Sequence, residues 1–278
     1  MPEDLSLAAL GTLETICREL AVLAGELIVR ERPAHLGVAD TKSSATDVVT
    51  IMDRRSEQLL QEHLRQRRPQ DGILGEEGAS VESASGITWI VDPIDGTVNY
   101  LYDIPAYAVS VAACIGDPAG EWEGVAGAVF NPVTGELFHA RRGGGAFLRT
   151  TGAEPSVTAL FVSGERQLGQ ALTGTGFGYD ADKRAQQAQI LTHVLPQVRD
   201  IRRAGSAALD LCAVAAGRLD VYYESGLNAW DRAAGQLIVT EAGGVVRGAG
   251  PQPSRDLTLA GPAVLVEALH DVLRSAAQ

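Results

Sequence analysis

The chain has 278 residues, 45% of them hydrophobic, so it can bury a sizeable core in one large domain or two smaller ones. Its 35 acidic and 23 basic residues give a formal net charge of -12, which disfavours nucleic-acid binding by the bulk surface. An anionic small molecule is not excluded, because bound metal ions can invert the charge locally.

Cysteine and histidine usage disfavours a disulfide framework and a zinc site. Cys17, Cys114 and Cys212 lie far apart and form no CxxC pair, which indicates reduced core residues of an intracellular protein. The five histidines are scattered along the chain. The acidic N-terminus is unlike a signal peptide, and no apolar run reaches the about 18 residues needed to span a membrane. We therefore expect a cytoplasmic protein that does not bind membranes.

The first half of the chain is predicted to contain two long helices followed by an antiparallel meander. Leucines at helical spacing predict an amphipathic helix over 5–31 that stops at Pro33. After a loop rich in Gly, Ser, Thr and Asp, a second helix is predicted from about Asp47 to Arg68. Strands separated by turn residues are predicted at 73–78, from Trp89 onward, and at 106–115, 122–130, 135–140 and 145–149.

The second half is predicted to form an α/β layer, because short strands alternate with helices. The strands are expected at 157–162, 171–175 and 219–223, and the helices at 181–194, 206–216, 231–242 and 262–275. A boundary near 150–156 predicts an α+β domain over 1–152 and an α/β domain over 153–278. The glycine-rich segment 173–178 lacks the GxGxxG spacing, and we expect it to leave the core beside a pocket.

The most informative stretch runs from Trp89 to Tyr100. An apolar run predicts a buried strand that ends in two acids, Asp92 and Asp95, before a Gly-Thr pair that opens a helix. Acids at a strand end can bind metal, and the N–H groups and dipole of a helix N-terminus can bind phosphate. Pro93 fixes the backbone between the acids, and Gly96 lets the main chain approach a ligand closely.

Other acids are predicted to lie at strand ends or helix starts. Glu76 and Glu77 follow one strand, and Asp47 and Asp231 each open a helix. The alternative interpretations are a solvated turn for the two glutamates and ordinary helix capping for the two aspartates. If the acids converge, their mutual repulsion raises their pKa values, and a hard divalent cation relieves it. Mg²⁺ suits a few carboxylates together with water and phosphate oxygens.

These motifs resemble those of the inositol monophosphatase family of Mg²⁺-dependent, lithium-sensitive phosphatases. The resemblance covers nearly the whole chain in the family's order: Lys42–Thr50, Gly75–Glu77, Trp89–Asn99, Gly205–Asp210, Tyr222–Glu224, Trp230–Asp231 and Glu241–Gly244. It implies a mixed α/β fold, the layered α/β/α/β/α sandwich of the sugar phosphatases, in a homodimer. The implied activity is hydrolysis of inositol 1-phosphate by metal-activated water.

Other functions stay open at this stage. Within the family, the substrate could instead be histidinol phosphate, fructose 1,6-bisphosphate or 3′-phosphoadenosine 5′-phosphate. A non-catalytic regulator that binds a partner is a second class, disfavoured because every metal-ligand position holds a carboxylate. Nucleic-acid binding is a third, disfavoured by the charge and by an aromatic content of only 5%.

The resemblance also implies a set of two to three Mg²⁺ ions. The first ion would be held by Glu76, Asp92 and the main-chain carbonyl of Ile94. The second would be held by Asp92, Asp95 and Asp231. A third, weaker ion would lie near Glu76 and Glu77.

Catalytic and substrate-binding roles follow from the same resemblance. Thr97, with Asp47 or Glu76, would orient and deprotonate the attacking water. Lys42 would add positive charge near the site, unless it is an ordinary surface lysine. The residues expected to contact substrate are Asp95, Gly96, Thr97, Gly205, Ser206, Ala207, Glu224, Asp231 and Arg202. Glu224 suits a polyol, because a carboxylate can accept hydrogen bonds from two hydroxyls. Arg202 or Arg203 would contact the substrate or a partner subunit, with a plain salt bridge as the alternative.

Overall fold

The structure is a computed structural model that describes residues 5–42, 48–118, 120–150 and 155–276. In these ranges the helices are α1 Leu7–Arg30, α2 Ile51–Arg67, α3 Thr97–Leu101, α4 Ala181–Val194, α5 Ala207–Ala215, α6 Ala229–Glu241 and α7 Ala263–Ala276. The strands are β1 Asp40–Thr41, β2 Val48–Val49, β3 Gly72–Gly75, β4 Ser80–Val81, β5 Ile87–Asp95, β6 Ala108–Gly116, β7 Trp122–Asn131, β8 Glu136–Arg141, β9 Ala146–Thr150, β10 Val157–Ala159, β11 Leu172–Thr175, β12 Asp200–Arg202, β13 Val221–Glu224, β14 Val245–Arg247 and β15 Thr258–Gly261. Among the described helices, none has the length and apolar character needed to cross a bilayer.

The larger sheet has eight strands in the order β10-β9-β8-β7-β6-β5-β3-β4. Strands β5 to β10 form a continuous antiparallel run, which confirms the predicted meander. The turn between β7 and β8 is closed by a hydrogen bond of 3.0 Å from Gly135 N to Asn131 O. Only β3 and β5 run parallel, with Gly75 opposite Val91. The carboxyl ends of these two strands therefore lie side by side, and the acids that follow them are brought together.

The smaller sheet has five strands in the order β12-β11-β13-β15-β14. Strand β11 is parallel to β12 and β13, whereas β15 is antiparallel to β13 and β14. The sequence does not predict β12, β14 or β15. The strand expected at 157–162 exists as β10, but it pairs with β9 in the larger sheet. The domain boundary near residue 152 stays a prediction.

Helices separate and cover the two sheets in five layers. Helices α1 and α2 pack on one face of the larger sheet, and α5 and α6 fill the space between the sheets. Helices α4 and α7 cover the outer face of the smaller sheet. Tyr222 faces the inner core and Tyr223 the outer one, as side chains alternate along a strand. The layers form the expected α/β/α/β/α sandwich.

Helix α2 starts later than the sequence predicts. It begins at Ile51 rather than at Asp47, because Thr50 caps it and β2 precedes the cap. Asp53 accepts a hydrogen bond of 2.8 Å from Thr50 N, and Thr50 Oγ1 accepts one of 3.2 Å from Met52 N. This reciprocal arrangement is a capping box, with Asp in place of the usual Glu. Asp47 lies outside the described residues.

Candidate active site

Three distant parts of the chain bring acids to one point. Asp92 and Asp95 end β5, Glu76 directly follows the neighbouring parallel strand β3, and Asp231 is the third residue of α6. Asp92, Asp95 and Asp231 each offer a carboxylate oxygen, and these oxygens lie within 4.8 Å of one another. Glu76 lies close enough to Asp92 for its charge to raise the pKa of that carboxyl. Four of the acids predicted as metal ligands, Glu76, Asp92, Asp95 and Asp231, therefore lie close together.

The backbone between Asp92 and Asp95 leaves regular strand geometry. The register with β6 shifts there, and Asp92 Oδ1 accepts a hydrogen bond of 3.1 Å from Ile94 N. Ser56 of α2 donates a hydrogen bond of 3.1 Å to Pro93 O, which fixes the irregular segment against the helix. Gly96 follows with a φ of 92°, and a Cβ there would lie 2.9 Å from Ala106 O. Glycine is therefore required at this turn.

The three aspartates of the cluster, Asp92, Asp95 and Asp231, form no ion pair with a basic side chain among the described residues. Burial raises the pKa values of Asp92 and Asp231, and the neighbouring carboxylates raise them further. A buried, oxygen-only donor set without a basic partner fits a hard divalent cation such as Mg²⁺.

Lys42 pairs with the two glutamates expected to bind the third ion. Its Nζ lies 2.7 Å from Glu76 Oε1 and 2.5 Å from Glu77 Oε1, so it is not an ordinary surface lysine. Burial acts to lower the pKa of Lys42, but the charges and hydrogen bonds of the glutamates outweigh it and raise the pKa. Glu57 of α2 holds the same turn, accepting hydrogen bonds of 2.8 Å from Glu77 N and 3.0 Å from Ala79 N. The sequence does not predict this role for Glu57.

The hydroxyl of Thr97 is paired with Asp53. Thr97 Oγ1 lies 2.9 Å from Asp53 Oδ1 and 3.1 Å from Ile94 O. Burial raises the pKa of Asp53 to about 6, while hydrogen bonds from Thr50 and Thr97 act to lower it. The sequence predicts Asp47 or Glu76 as the partner of Thr97; among the described residues the carboxylate bonded to Thr97 is that of Asp53, and Asp47 lies outside them. The signal that could have identified Asp53 is the Thr-x-x-Asp pattern at the start of α2.

Asp95 also has a structural role that its sequence context does not reveal. Its Oδ2 accepts hydrogen bonds of 2.5 Å from Ser206 Oγ and 2.7 Å from Ala208 N, at the first turn of α5. Burial raises the pKa of Asp95 to about 6, and these hydrogen bonds oppose the rise. The predicted substrate residues Gly205, Ser206 and Ala207 are thereby placed beside the acid cluster.

A cavity of about 570 Å³ opens over the cluster. The predicted residues that line it are Lys42, Glu76, Asp95, Gly96, Gly205, Ser206, Ala207, Glu224 and Asp231. Glu224 ends β13 and accepts a hydrogen bond from Tyr222 Oη, and burial raises the pKa of Glu224 to about 7. The glycine-rich segment after β11 lines the cavity as expected, and a Cβ at Gly176 would collide with the Glu224 carboxylate.

Of the two arginines expected near the substrate, only the second lines the cavity, and two further lining residues, Asp210 and Trp230, have no role predicted from the sequence. Arg203 lines the cavity, whereas Arg202 forms an ion pair of 2.6 Å with Asp200 and is absent from the lining. Asp210 is buried in the wall, and burial, followed by the charges of Glu224 and Asp95, raises the pKa of Asp210 to about 8. The Trp230 Nε1 donor is buried without a hydrogen-bond partner among the described residues.

Comparison with known proteins agrees with this geometry. The sequence profile described as "Inositol monophosphatase family" matches residues 10–278. The Inositol-1-monophosphatase of Mycobacterium leprae is 44% identical over 281 residues, covering 98% of this chain and 91% of that protein. The "Nus factor SuhB" of Pasteurella multocida is 36% identical, covering 90% of this chain and 91% of that one. The solved structure of Mycobacterium tuberculosis SuhB has a TM-score of 0.80 at 43% identity, covering 96% of this chain and 97% of that one. This chain therefore belongs to the inositol monophosphatase family and is a phosphatase.

Proposed function

We propose that this protein is a Mg²⁺-dependent phosphomonoesterase that hydrolyses inositol 1-phosphate to inositol and phosphate. The observation that carries the proposal is the convergence of Asp92, Asp95 and Asp231. Asp95 and Asp231 line one cavity, and Glu76 lines it with them. The name Inositol-1-monophosphatase, printed for the relative from Mycobacterium leprae, supports the choice of substrate. Family membership also leads us to propose inhibition by lithium, a homodimer and a cytoplasmic location.

We propose the metal ligands that the resemblance to the inositol monophosphatase family implies. Glu76, Asp92 and the carbonyl of Ile94 would hold one Mg²⁺, and Asp92, Asp95 and Asp231 a second. A third ion would bind Glu76 and Glu77 in competition with Lys42, which pairs with both glutamates. When bound, the ions would lower the pKa of water and offset the charge that develops on the phosphate oxygens.

Thr97 and Asp53 are proposed to orient the attacking water and accept its proton. The Thr97 hydroxyl donates to Asp53 Oδ1, which leaves the lone pairs of Thr97 Oγ1 to accept a hydrogen bond from water. With a pKa of about 6, Asp53 is mostly ionised at neutral pH, so it can take up a proton passed through Thr97. The N–H groups of Gly96 and Thr97 are proposed to contact the phosphate.

The far wall of the cavity is proposed to select a polyol. Glu224 and Asp210 offer carboxyl oxygens to hydroxyl groups, and Arg203 lies near both. With a pKa of about 7, Glu224 is about half ionised at neutral pH, and its negative charge disfavours a second phosphate at this end, as in fructose 1,6-bisphosphate or 3′-phosphoadenosine 5′-phosphate. Histidinol phosphate carries a cationic amine, so it is the alternative that these acids exclude least.

The test is phosphate release from inositol 1-phosphate with and without Mg²⁺, beside the three alternative substrates. We expect the highest kcat/KM for inositol 1-phosphate and no turnover after Mg²⁺ removal. Asp92→Asn is the most suitable inactive variant, because Asp95 also holds the first turn of α5 and its loss would disturb folding. Failure to hydrolyse any small phosphomonoester in the presence of Mg²⁺ would contradict the proposal.

A further inference from the structure

A second cavity, of about 530 Å³, lies against the first turns of α6. Its walls include Trp122 of β7, Arg142 after β8, and Arg232 and Gln236 of α6. None of these four residues lines the active-site cavity. We call this space the α6 cavity.

Arg232 brings to the α6 cavity a positive charge that forms no ion pair in the described ranges. Its side chain is partly buried; burial lowers the pKa of Arg232, and the charge of the neighbouring Asp231 offsets this only in part. Its Nη1 donates a hydrogen bond of 3.0 Å to the neutral Gln236, and its guanidinium carbon lies 4.8 Å from the centre of the Trp122 ring. Its Nε is buried without a hydrogen-bond partner. Burying a cation is costly unless an anion compensates its charge. An anion bound in the α6 cavity would therefore stabilise Arg232.

A second guanidinium is available at the same cavity. Arg142 Nη1 lies 3.1 Å from Glu123 Oε1, and the Glu123 side chain is 58% exposed. An exposed pair of this kind contributes only about 0–1 kcal/mol, so a ligand anion can replace Glu123 at little cost. Glu121 and Glu123 also line the cavity. Their charges favour one compact anionic group over a polyanion such as nucleic acid.

We propose that the α6 cavity binds a small molecule bearing a phosphate or carboxylate group, with Arg232 as its main contact and Arg142 as its second. The planar guanidinium fork matches the oxygens of either group. Trp122 fixes the plane of Arg232 through its ring contact, which reduces the ordering cost of binding. This proposal does not depend on the identity of the substrate.

Trp122 provides a direct reporter of binding. In a Trp230→Phe background, Trp89 is the other tryptophan, and it is fully buried away from the α6 cavity. We would titrate the Mg²⁺-loaded, full-length protein with inorganic phosphate, sulfate and acetate, using chloride at equal ionic strength as the control. We expect a saturable change in Trp122 emission. The ratio of the phosphate, sulfate and acetate affinities distinguishes a phosphate-type from a carboxylate-type ligand.

Variants separate this cavity from the active site. Arg232→Gln is expected to weaken binding at least tenfold and Arg142→Gln severalfold. Arg199→Gln, which changes an exposed arginine bonded to Gln170, is expected to have no effect. The response should persist in Asp92→Asn.

Several outcomes would overturn the proposal. They are a chloride-like response, an unchanged Kd in Arg232→Gln, or loss of the response in Asp92→Asn, which would assign the anion to the active site. If circular dichroism shows that Arg232→Gln does not fold, Arg232→Lys and Arg142→Gln decide. An unchanged Kd in both would then refute the site.

Discussion

Asp53→Asn is expected to abolish most turnover while leaving substrate binding nearly unchanged. One oxygen of Asp53 accepts the Thr97 hydroxyl at 2.9 Å, and the other accepts Thr50 N at 2.8 Å. An asparagine has a single acceptor oxygen, and the Thr50 N–H, which can only donate, will bind it. The amide NH₂ then faces Thr97, whose hydroxyl turns to donate to Ile94 O, already 3.1 Å away. Thr97 therefore loses the group that takes up its proton.

The expected losses of activity and of stability in Asp53→Asn follow from the hydrogen bonds and the general base that the substitution removes. Loss of a positioned general base typically lowers kcat by about 10²–10⁴-fold, while KM should change by less than about threefold. The capping bond to Thr50 N is kept, so the free energy of unfolding should fall by only about 0.5–2 kcal/mol. Steady-state phosphate release at saturating Mg²⁺ measures the first quantity, and urea denaturation measures the second.

Two further variants control for a structural effect. Thr50→Ala removes the cap of α2 but leaves the hydrogen bond between Thr97 and Asp53, so it should lower stability without the large loss of kcat. Thr97→Val should match Asp53→Asn, and the double variant should be no worse than either, because the two residues act as one unit. Asp53→Asn activity within about tenfold of the unmodified enzyme, or an equal loss in Thr50→Ala, would refute the reasoning.

Three other outcomes are expected. Because burial raises the pKa of Glu224 to about 7, kcat/KM for a polyol phosphate should rise as pH increases through 7, and Glu224→Gln should flatten this rise in a pH–rate profile. Lys42→Met removes the cation that competes with Mg²⁺ for Glu76 and Glu77. A Mg²⁺ titration of activity should therefore show a lower half-activating concentration. An unchanged half-activating concentration would contradict competition between Lys42 and Mg²⁺. Asp95 has a pKa of about 6 in the folded protein against 3.8 in the unfolded chain. As pH rises, the Asp95 carboxyl therefore loses its proton in the unfolded chain before it does so in the folded protein. The metal-free protein should thus lose stability as pH rises from about 4 to 6, and Mg²⁺ should raise Tm more at pH 7.5 than at pH 5.

The elements with strong local signals were predictable from the sequence. Leucine spacing predicted α1, and turn residues such as those between Asn131 and Gly135 predicted the meander. The convergence of Glu76 with Asp92 was predicted only through the family resemblance, and the parallel pairing of β3 with β5 supplies its physical reason. The helix and the meander depend on local periodicity and turn residues, which short stretches of sequence carry.

The contacts that depend on long-range packing were not predictable. Asp53 and Glu57 lie in an amphipathic helix among other charged residues, where a solvated face is the ordinary interpretation. Their burial appears only when α2 packs on β5 and against the turn that follows β3. Arg202 and Arg203 are adjacent, so nothing local shows that only the second reaches the cavity. Short strands such as β12, of three residues, carry too little pattern to detect.

The Mg²⁺ dependence of phosphate release from inositol 1-phosphate, measured in parallel for the unmodified enzyme and Asp92→Asn, tests the central claim most directly. Asp92 is buried at the centre of the cluster and belongs to both proposed ion sites. We expect saturable activation by Mg²⁺ in the unmodified enzyme and a loss of activity of at least about 10³-fold in the folded variant at any Mg²⁺ concentration. Turnover that is independent of Mg²⁺, or that survives in Asp92→Asn, would contradict the central claim.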